Sequence, residues 1–114
     1  VPDAEFAVYR GRSDFIRQHV FPGGMLPCAA MISHEAAKAG LRVRNTYAFG
    51  QDYARTCRIW SERMIAQRPR IEKLGYGEDF LRGWQFYLDG CAAAFATGRC
   101  DVVQVQLAHA SELN

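Results

Sequence analysis

The stretch Leu41-Arg42-Val43-Arg44-Asn45-Thr46-Tyr47-Ala48-Phe49-Gly50-Gln51-Asp52-Tyr53-Ala54-Arg55-Thr56-Cys57-Arg58-Ile59-Trp60 changes its periodicity at its centre. Up to Phe49, the residues Leu41, Val43, Asn45, Tyr47 and Phe49 alternate with Arg42, Arg44, Thr46 and Ala48. A period of two predicts a strand over 41–49. Beyond Gly50, the residues Tyr53, Cys57, Trp60 and Met64 recur at steps of four, three and four, which is one face of a helix. Tyr53 therefore falls in the first turn of that helix, where unpaired backbone N–H groups and the positive end of the dipole gather. A phenol beside such donors suits an anion or a polarised oxygen. Open α/β sheets also place ligands at strand–turn–helix junctions. The structural alternative for Tyr53 is a core aromatic packed on Trp60.

Working outward, this helix is expected to end near Pro69, and a second one to run from Glu78 to Thr97. Leu81, Trp84, Leu88, Cys91 and Phe95 form its stripe, with Tyr87 beside it and Gly98 as its stop. Trp84 and Tyr87 read as core residues. Asp101 to Ala108, rich in valine, reads as a closing strand. Upstream, Tyr9 to Val20 reads as a short helix broken by Phe21-Pro22-Gly23-Gly24. That loop reads as a rigid turn. Pro27 suits a first helical position, and the helix it opens is expected to run to Ala39 and stop at Gly40. Two strands do not make an independent sheet. They either pair beneath the helices or form the edge of a larger sheet.

The chain has 114 residues, one small domain or part of a larger one. With 49% hydrophobic and 23% charged residues, it is not of the disordered class. A net charge of +2 does not argue for nucleic acid. Arginine greatly outnumbers lysine, and Arg55, Arg58, Arg63, Arg68 and Arg70 cluster on and just after the helix that begins at Gly50. They read as a solvated face or as contacts to a phosphate-bearing partner. Cys28, Cys57, Cys91 and Cys100 make no C-x-x-C pair, so no zinc or redox motif is supported. Cys57 and Cys91 fall on apolar faces and read as small buried hydrophobes. His34 and His109 have no metal partners at suitable spacing. No signal peptide or long apolar run is seen, and a reducing, cytoplasmic setting is expected.

Four blocks carry a family resemblance. Ser13-Asp14-Phe15-Ile16-Arg17-Gln18-His19-Val20-Phe21-Pro22-Gly23-Gly24-Met25-Leu26-Pro27 resembles a signature of the cyclopropane-fatty-acyl-phospholipid synthase family, which includes the mycolic acid cyclopropane synthases. Asp52-Tyr53-Ala54-Arg55-Thr56 with Trp60, then Trp84-Gln85-Phe86-Tyr87-Leu88 with Cys91 and Phe95, then Asp101-Val102-Val103-Gln104-Val105-Gln106, resemble its following blocks in order. The resemblance covers roughly Phe6 to Ala108.

It implies an α/β fold: the C-terminal part of a class I, Rossmann-like methyltransferase domain, mainly helices plus an antiparallel pair of strands at 41–49 and 101–108. The whole chain, 1–114, would be a C-terminal segment lacking the cofactor-binding half. The implied reaction moves a methyl group from S-adenosylmethionine to a cis double bond of a phospholipid acyl chain, with ring closure on proton loss. Tyr53 is the one position that matches a ligand of the family's active-site bicarbonate; the glutamate, histidine and cysteine of that set lie upstream of the matching region. No G-x-G loop follows a strand, so no residue is assigned to the cofactor, and none to a metal. Phe21, Gly23, Gly24 and Tyr87 are the expected substrate contacts. The expected partners are phospholipid acyl chains at the inner membrane surface, approached peripherally with help from Arg55, Arg58 and Arg63. A homodimer or larger species is expected from an exposed sheet edge. Two other readings stand: a relative acting on another lipid or a small molecule, and a non-catalytic binding or oligomerisation module.

Overall fold

Strand β1 (Leu41–Ala48) pairs antiparallel with β2 (Val103–His109), from Leu41 opposite His109 to Ala48 opposite Val103. The structure, a computed structural model, describes residues 1–113. The register slips between Val43 and Asn45. Phe49 extends the pairing by donating its N–H to the Val102 carbonyl at 2.9 Å. The two strands do pair with each other, as one of the two sequence alternatives required.

The connection between them is helical: α3 (Gly50–Ala66), α4 (Arg68–Lys73) and α5 (Glu78–Ala96). α3 leaves the sheet and α5 returns to it. The Gln51 amide Nε2 at the start of α3 donates to the carbonyls of Phe95 and Ala96 at the end of α5, at 3.2 and 3.3 Å. α4 therefore sits at the far end of an antiparallel helical pair, about 25 Å from the sheet at 1.5 Å per residue. Before the sheet come α1 (Phe6–Gly11), a wide π-type turn over Ile16–Val20, and α2 (Ala29–Lys38). Gly40 and Gly98 stop their helices with φ of +75° and +76°, a region that favours glycine.

The core is a seam. Ala54, Cys57 and Ser61 of α3 meet Leu81, Leu88 and Ala92 of α5, all buried. The α3 side chains are small, which brings the two helices close. Among the described residues no large side chain is fully buried. The radius of gyration is 17.6 Å and the extents are 57 × 27 × 26 Å. A compact domain of this length has a radius of about 13 Å. The chain is long and thin for its size.

Three expectations are corrected. The segment Tyr9 to Val20 is not one helix. α1 ends at Gly11, and Asp14 restarts the chain by accepting the Arg17 N–H at 2.9 Å, a side-chain cap that competes with helix continuation. Pro27 is not helical; α2 begins at Ala29 after an extended Cys28. The cap comes from elsewhere in the chain, where the Asp3 carboxylate accepts the Ala30 N–H at 3.0 Å. That bond is the main cause of a lowered Asp3 pKa. α3 stops at Ala66, near Pro69 as expected, but the helix from Glu78 does not follow directly: the proline opens a further short helix, α4, where its missing N–H costs nothing.

Candidate active site

Tyr53 is half-buried beside the α3–α5 seam. Its ring meets Trp60 at 5.7 Å and Phe95 at 5.3 Å, both edge-on, with Phe49 at 6.5 Å. The period that set Tyr53, Cys57, Trp60 and Met64 on one stripe of α3 sets Trp84, Tyr87, Cys91 and Phe95 along the same flank of α5. The two stripes run side by side, in contact where Tyr53 meets Phe95, and outline an aromatic groove along the seam. Tyr53 thus packs against Trp60, as the structural alternative offered by the sequence has it.

Tyr87 is the second phenol. Its pKa is pushed up to about 12 by burial first, then by Cys91, Cys57 and Tyr53 nearby. Cys91 rises to about 11, again through burial and then Cys57, partly offset by the Tyr87 hydroxyl. Burial also raises Cys57. At neutral pH the groove therefore holds proton-bearing Tyr87, Cys57 and Cys91. These thiols are not nucleophiles, since that requires a thiolate. Such a surface presents apolar area with a few weak donors.

Phe21 reaches this groove although its own position is exposed. Its ring lies edge-on to Tyr87 at 5.9 Å. Gly23 has φ +80°, and the Gly24 N–H donates to the Phe21 carbonyl at 2.9 Å. A Cβ on Gly24 would stand 3.0 Å from that oxygen. The two glycines shape the turn that holds Phe21 on Tyr87. The structure thus brings Tyr53, Tyr87 and Phe21 together, with Gly23 and Gly24 acting through the backbone.

The first turn of α3 is less open to an anion than the sequence suggested. The Asp101 carboxylate accepts the Gly50 N–H at 2.8 Å and the Val102 N–H at 2.9 Å through the same oxygen. The Tyr53 N–H is taken by the Phe49 carbonyl at 3.1 Å. What Tyr53 offers is its phenol. Gly50 is the glycine at the strand-to-helix turn, and a Cβ there would run into Asp101 Oδ1. Its N–H and its open side are both occupied by Asp101, so this turn does not fit an S-adenosylmethionine cradle. Asp101 went unnoticed in the sequence because it lies 51 residues away from its partner.

Among the described residues no three histidine, cysteine or acidic side chains cluster as metal ligands. A separate cleft of about 460 Å³ lies among the start of the chain, α2 and the strands, lined by Pro27, Cys28, Ile32, Val43, Val103 and Val105. It shares none of the groove's aromatic residues. Arg17 is accounted for locally: it pairs with Asp14 at 3.0 Å and stacks over Tyr9 at 4.2 Å.

Residues 2–105 match the family model described as mycolic acid cyclopropane synthetase. The chain is 34% identical over 105 residues to tuberculostearic acid methyltransferase UfaA1 of Mycobacterium tuberculosis, covering 91% of this chain and 25% of that protein. It is 40% identical over 98 residues to a probable fatty acid methyltransferase of Pseudomonas putida, covering 86% and 25%. Among solved structures, the cyclopropane synthase MmaA2 of M. tuberculosis superposes with a TM-score of 0.78 at 30% identity, over 91% of this chain and 34% of that one. The mycolic acid cyclopropane synthase CmaA1, complexed with SAH and CTAB, gives 0.78 at 31% identity, over 91% and 35%. The chain spans a quarter to a third of the length of the relatives it matches. The α/β fold expected for 41–49 and 101–108, part of a class I methyltransferase domain, is the fold observed.

Proposed function

The chain belongs to the mycolic acid cyclopropane synthetase family, and we propose that it forms the substrate-facing part of an S-adenosylmethionine-dependent lipid methyltransferase. The observation that carries this reading is the aromatic groove, with Tyr53 on one wall and Tyr87 on the other. In the proposed reaction of the whole protein, a methyl group moves from S-adenosylmethionine to a cis double bond of a phospholipid acyl chain. The new methyl then loses a proton and the cyclopropane ring closes.

This chain's residues act on the acyl chain. Phe21, Trp84, Tyr87 and Phe95 offer apolar area to the hydrocarbon. The ring faces of Tyr53, Trp60 and Phe95 suit a carbon-centred cation formed near them, because aromatic faces attract positive charge. The Tyr53 phenol donates a hydrogen bond to the anionic base that takes the proton. Bicarbonate as that base receives one ligand here, Tyr53, and the remaining donors belong to the cofactor-binding half. The thin seam and the elongated shape support the same division of labour. On this reading residues 1–114 are the C-terminal segment of a larger domain.

The relatives are named for cyclopropane, methoxy and fatty acid products, so a ring is one of several outcomes within the family. Mass analysis of lipids from cells making the full-length protein tests the assignment. Phospholipid acyl chains that gain one methylene per double bond support it. A gain confined to free fatty acids or another lipid overturns the phospholipid assignment.

A further inference from the structure

The far end of the α3–α5 pair is apolar and basic at once. Leu74 is 75% exposed, and Ile65, Tyr76 and Phe80 are also exposed large hydrophobics. Tyr76 and Phe80 pack ring to ring at 4.5 Å, so they present one aromatic surface. Between Arg63 and Tyr76 the sequence has four cations and one carboxylate, net +3, against +2 for the entire chain. Arg68 is paired with Glu72 at 2.9 Å. Arg63, Arg70 and Lys73 have no ion pair among the described residues and are exposed.

We propose that this tip, centred on α4 and the turn Leu74–Gly77, is the docking surface for an anionic lipid bilayer. Exposed aromatic and leucine side chains ringed by arginine and lysine are what an interfacial contact requires: the rings enter the headgroup layer while the cations meet lipid phosphates. No described helix is long and apolar enough to cross a membrane, so the contact is a surface one. The expected basic contacts move accordingly. Arg55 and Arg58 share their flank of α3 with Asp52 and Glu62, which dilutes the charge there, whereas Arg70 and Lys73 stand beside Leu74.

The tip is also continuous with the groove, a link that rests on the lipid-directed reading above. From Tyr76 and Phe80 the rings continue to Trp84 at 6.1 Å and on to Tyr87 at 5.3 Å. Phe80 and Phe95, the ring against Tyr53, are separated by about 22 Å along α5 at 1.5 Å per residue. Cys91 and Phe95 follow on the same stripe of α5, so the line of rings from the docking surface points towards Tyr53.

Sedimentation with vesicles tests this without turnover, using the full-length protein that carries this chain. Wild-type protein should bind phosphatidylglycerol-containing vesicles at least tenfold more tightly than pure phosphatidylcholine vesicles. Arg70→Glu/Lys73→Glu should remove that preference, and Leu74→Glu should weaken binding several-fold. Both variants change exposed side chains and should keep the wild-type circular dichroism spectrum. Unchanged binding in both variants overturns the proposal, as does equal binding to the two vesicle types, or binding of an acidic protein in place of vesicles. If methyl transfer fails while vesicle binding behaves as stated, the enzymatic reading falls and the docking surface stands. If the variants bind vesicles normally while methyl transfer proceeds, only the docking surface falls.

Discussion

The carboxylate of Asp101 caps the helix that carries Tyr53: its Oδ1 accepts the Gly50 N–H at 2.8 Å across 51 residues of sequence. The same oxygen holds the Val102 N–H, so one side chain fixes the end of β1 against the start of β2 and sets where α3 begins. Tyr53 lies one turn further on.

Asp101→Ala should lower stability by about 1 kcal/mol, the usual cost of losing a helix cap. Gly50→Ala should cost more, because the added Cβ would meet the Asp101 backbone Cα at 3.2 Å as well as its carboxylate. Urea unfolding of the two variants checks the order. Equal stability of Gly50→Ala and wild type would show that the junction has room to spare.

The sequence made the central elements legible and left their caps hidden. Alternation over Leu41–Phe49 and the stripe through Tyr53, Cys57, Trp60 and Met64 are local signals, and both elements formed as read. The facing stripe on α5 was equally plain. Asp3 and Asp101 cap α2 and α3 from 27 and 51 residues away, and no local pattern records such a pairing. The break at Arg12–Asp14 was visible in principle, because Asp14 three residues ahead of Arg17 is a capping spacing. Reading Tyr9, Phe15, Ile16 and Val20 as the apolar members of one helix hid that signal. Of the site, Tyr53, Tyr87 and Phe21 could be named from sequence, but their meeting depends on how α3, α5 and the Gly23–Gly24 turn pack.

Stability should decline in alkali. In the unfolded chain Cys91 and Tyr87 lose their protons near their ordinary values of 9.0 and 10.0, whereas in the fold they hold them to about 11 and about 12. A raised pKa stabilises the fold fully below the unfolded value, and that contribution is lost as pH rises towards the folded value. The melting temperature should therefore fall between roughly pH 9 and 12. Cys91→Ala/Tyr87→Phe should flatten that slope, and a slope unchanged by these substitutions would contradict the assignment.

Leu88 is, with Leu81, one of the two large side chains of the seam and is 7% exposed. Leu88→Ala should cost about 3 kcal/mol through lost burial and the cavity left behind. Leu74→Ala, at the exposed tip, should stay within about 0.5 kcal/mol of wild type. Thermal unfolding of both separates seam from surface; similar losses would show that Leu74 is covered.

Residues 1–114 prepared alone should associate. A chain with a radius of gyration of 17.6 Å, exposed strand edges and no fully buried large side chain among its described residues leaves apolar surface to cover. Light scattering should report a dimer or larger species. A monodisperse monomer of unchanged helix content would count against this.

Transfer of labelled methyl groups to acyl chains by the full-length protein, wild type against Tyr53→Phe, tests the role of the Tyr53 hydroxyl most directly. Phenylalanine keeps the ring packed on Trp60 and Phe95 and deletes only that hydroxyl. The account predicts an unchanged fold and a turnover reduced by about 10²-fold, the scale of losing one donor to a charge-bearing site. Wild-type turnover in Tyr53→Phe would contradict it.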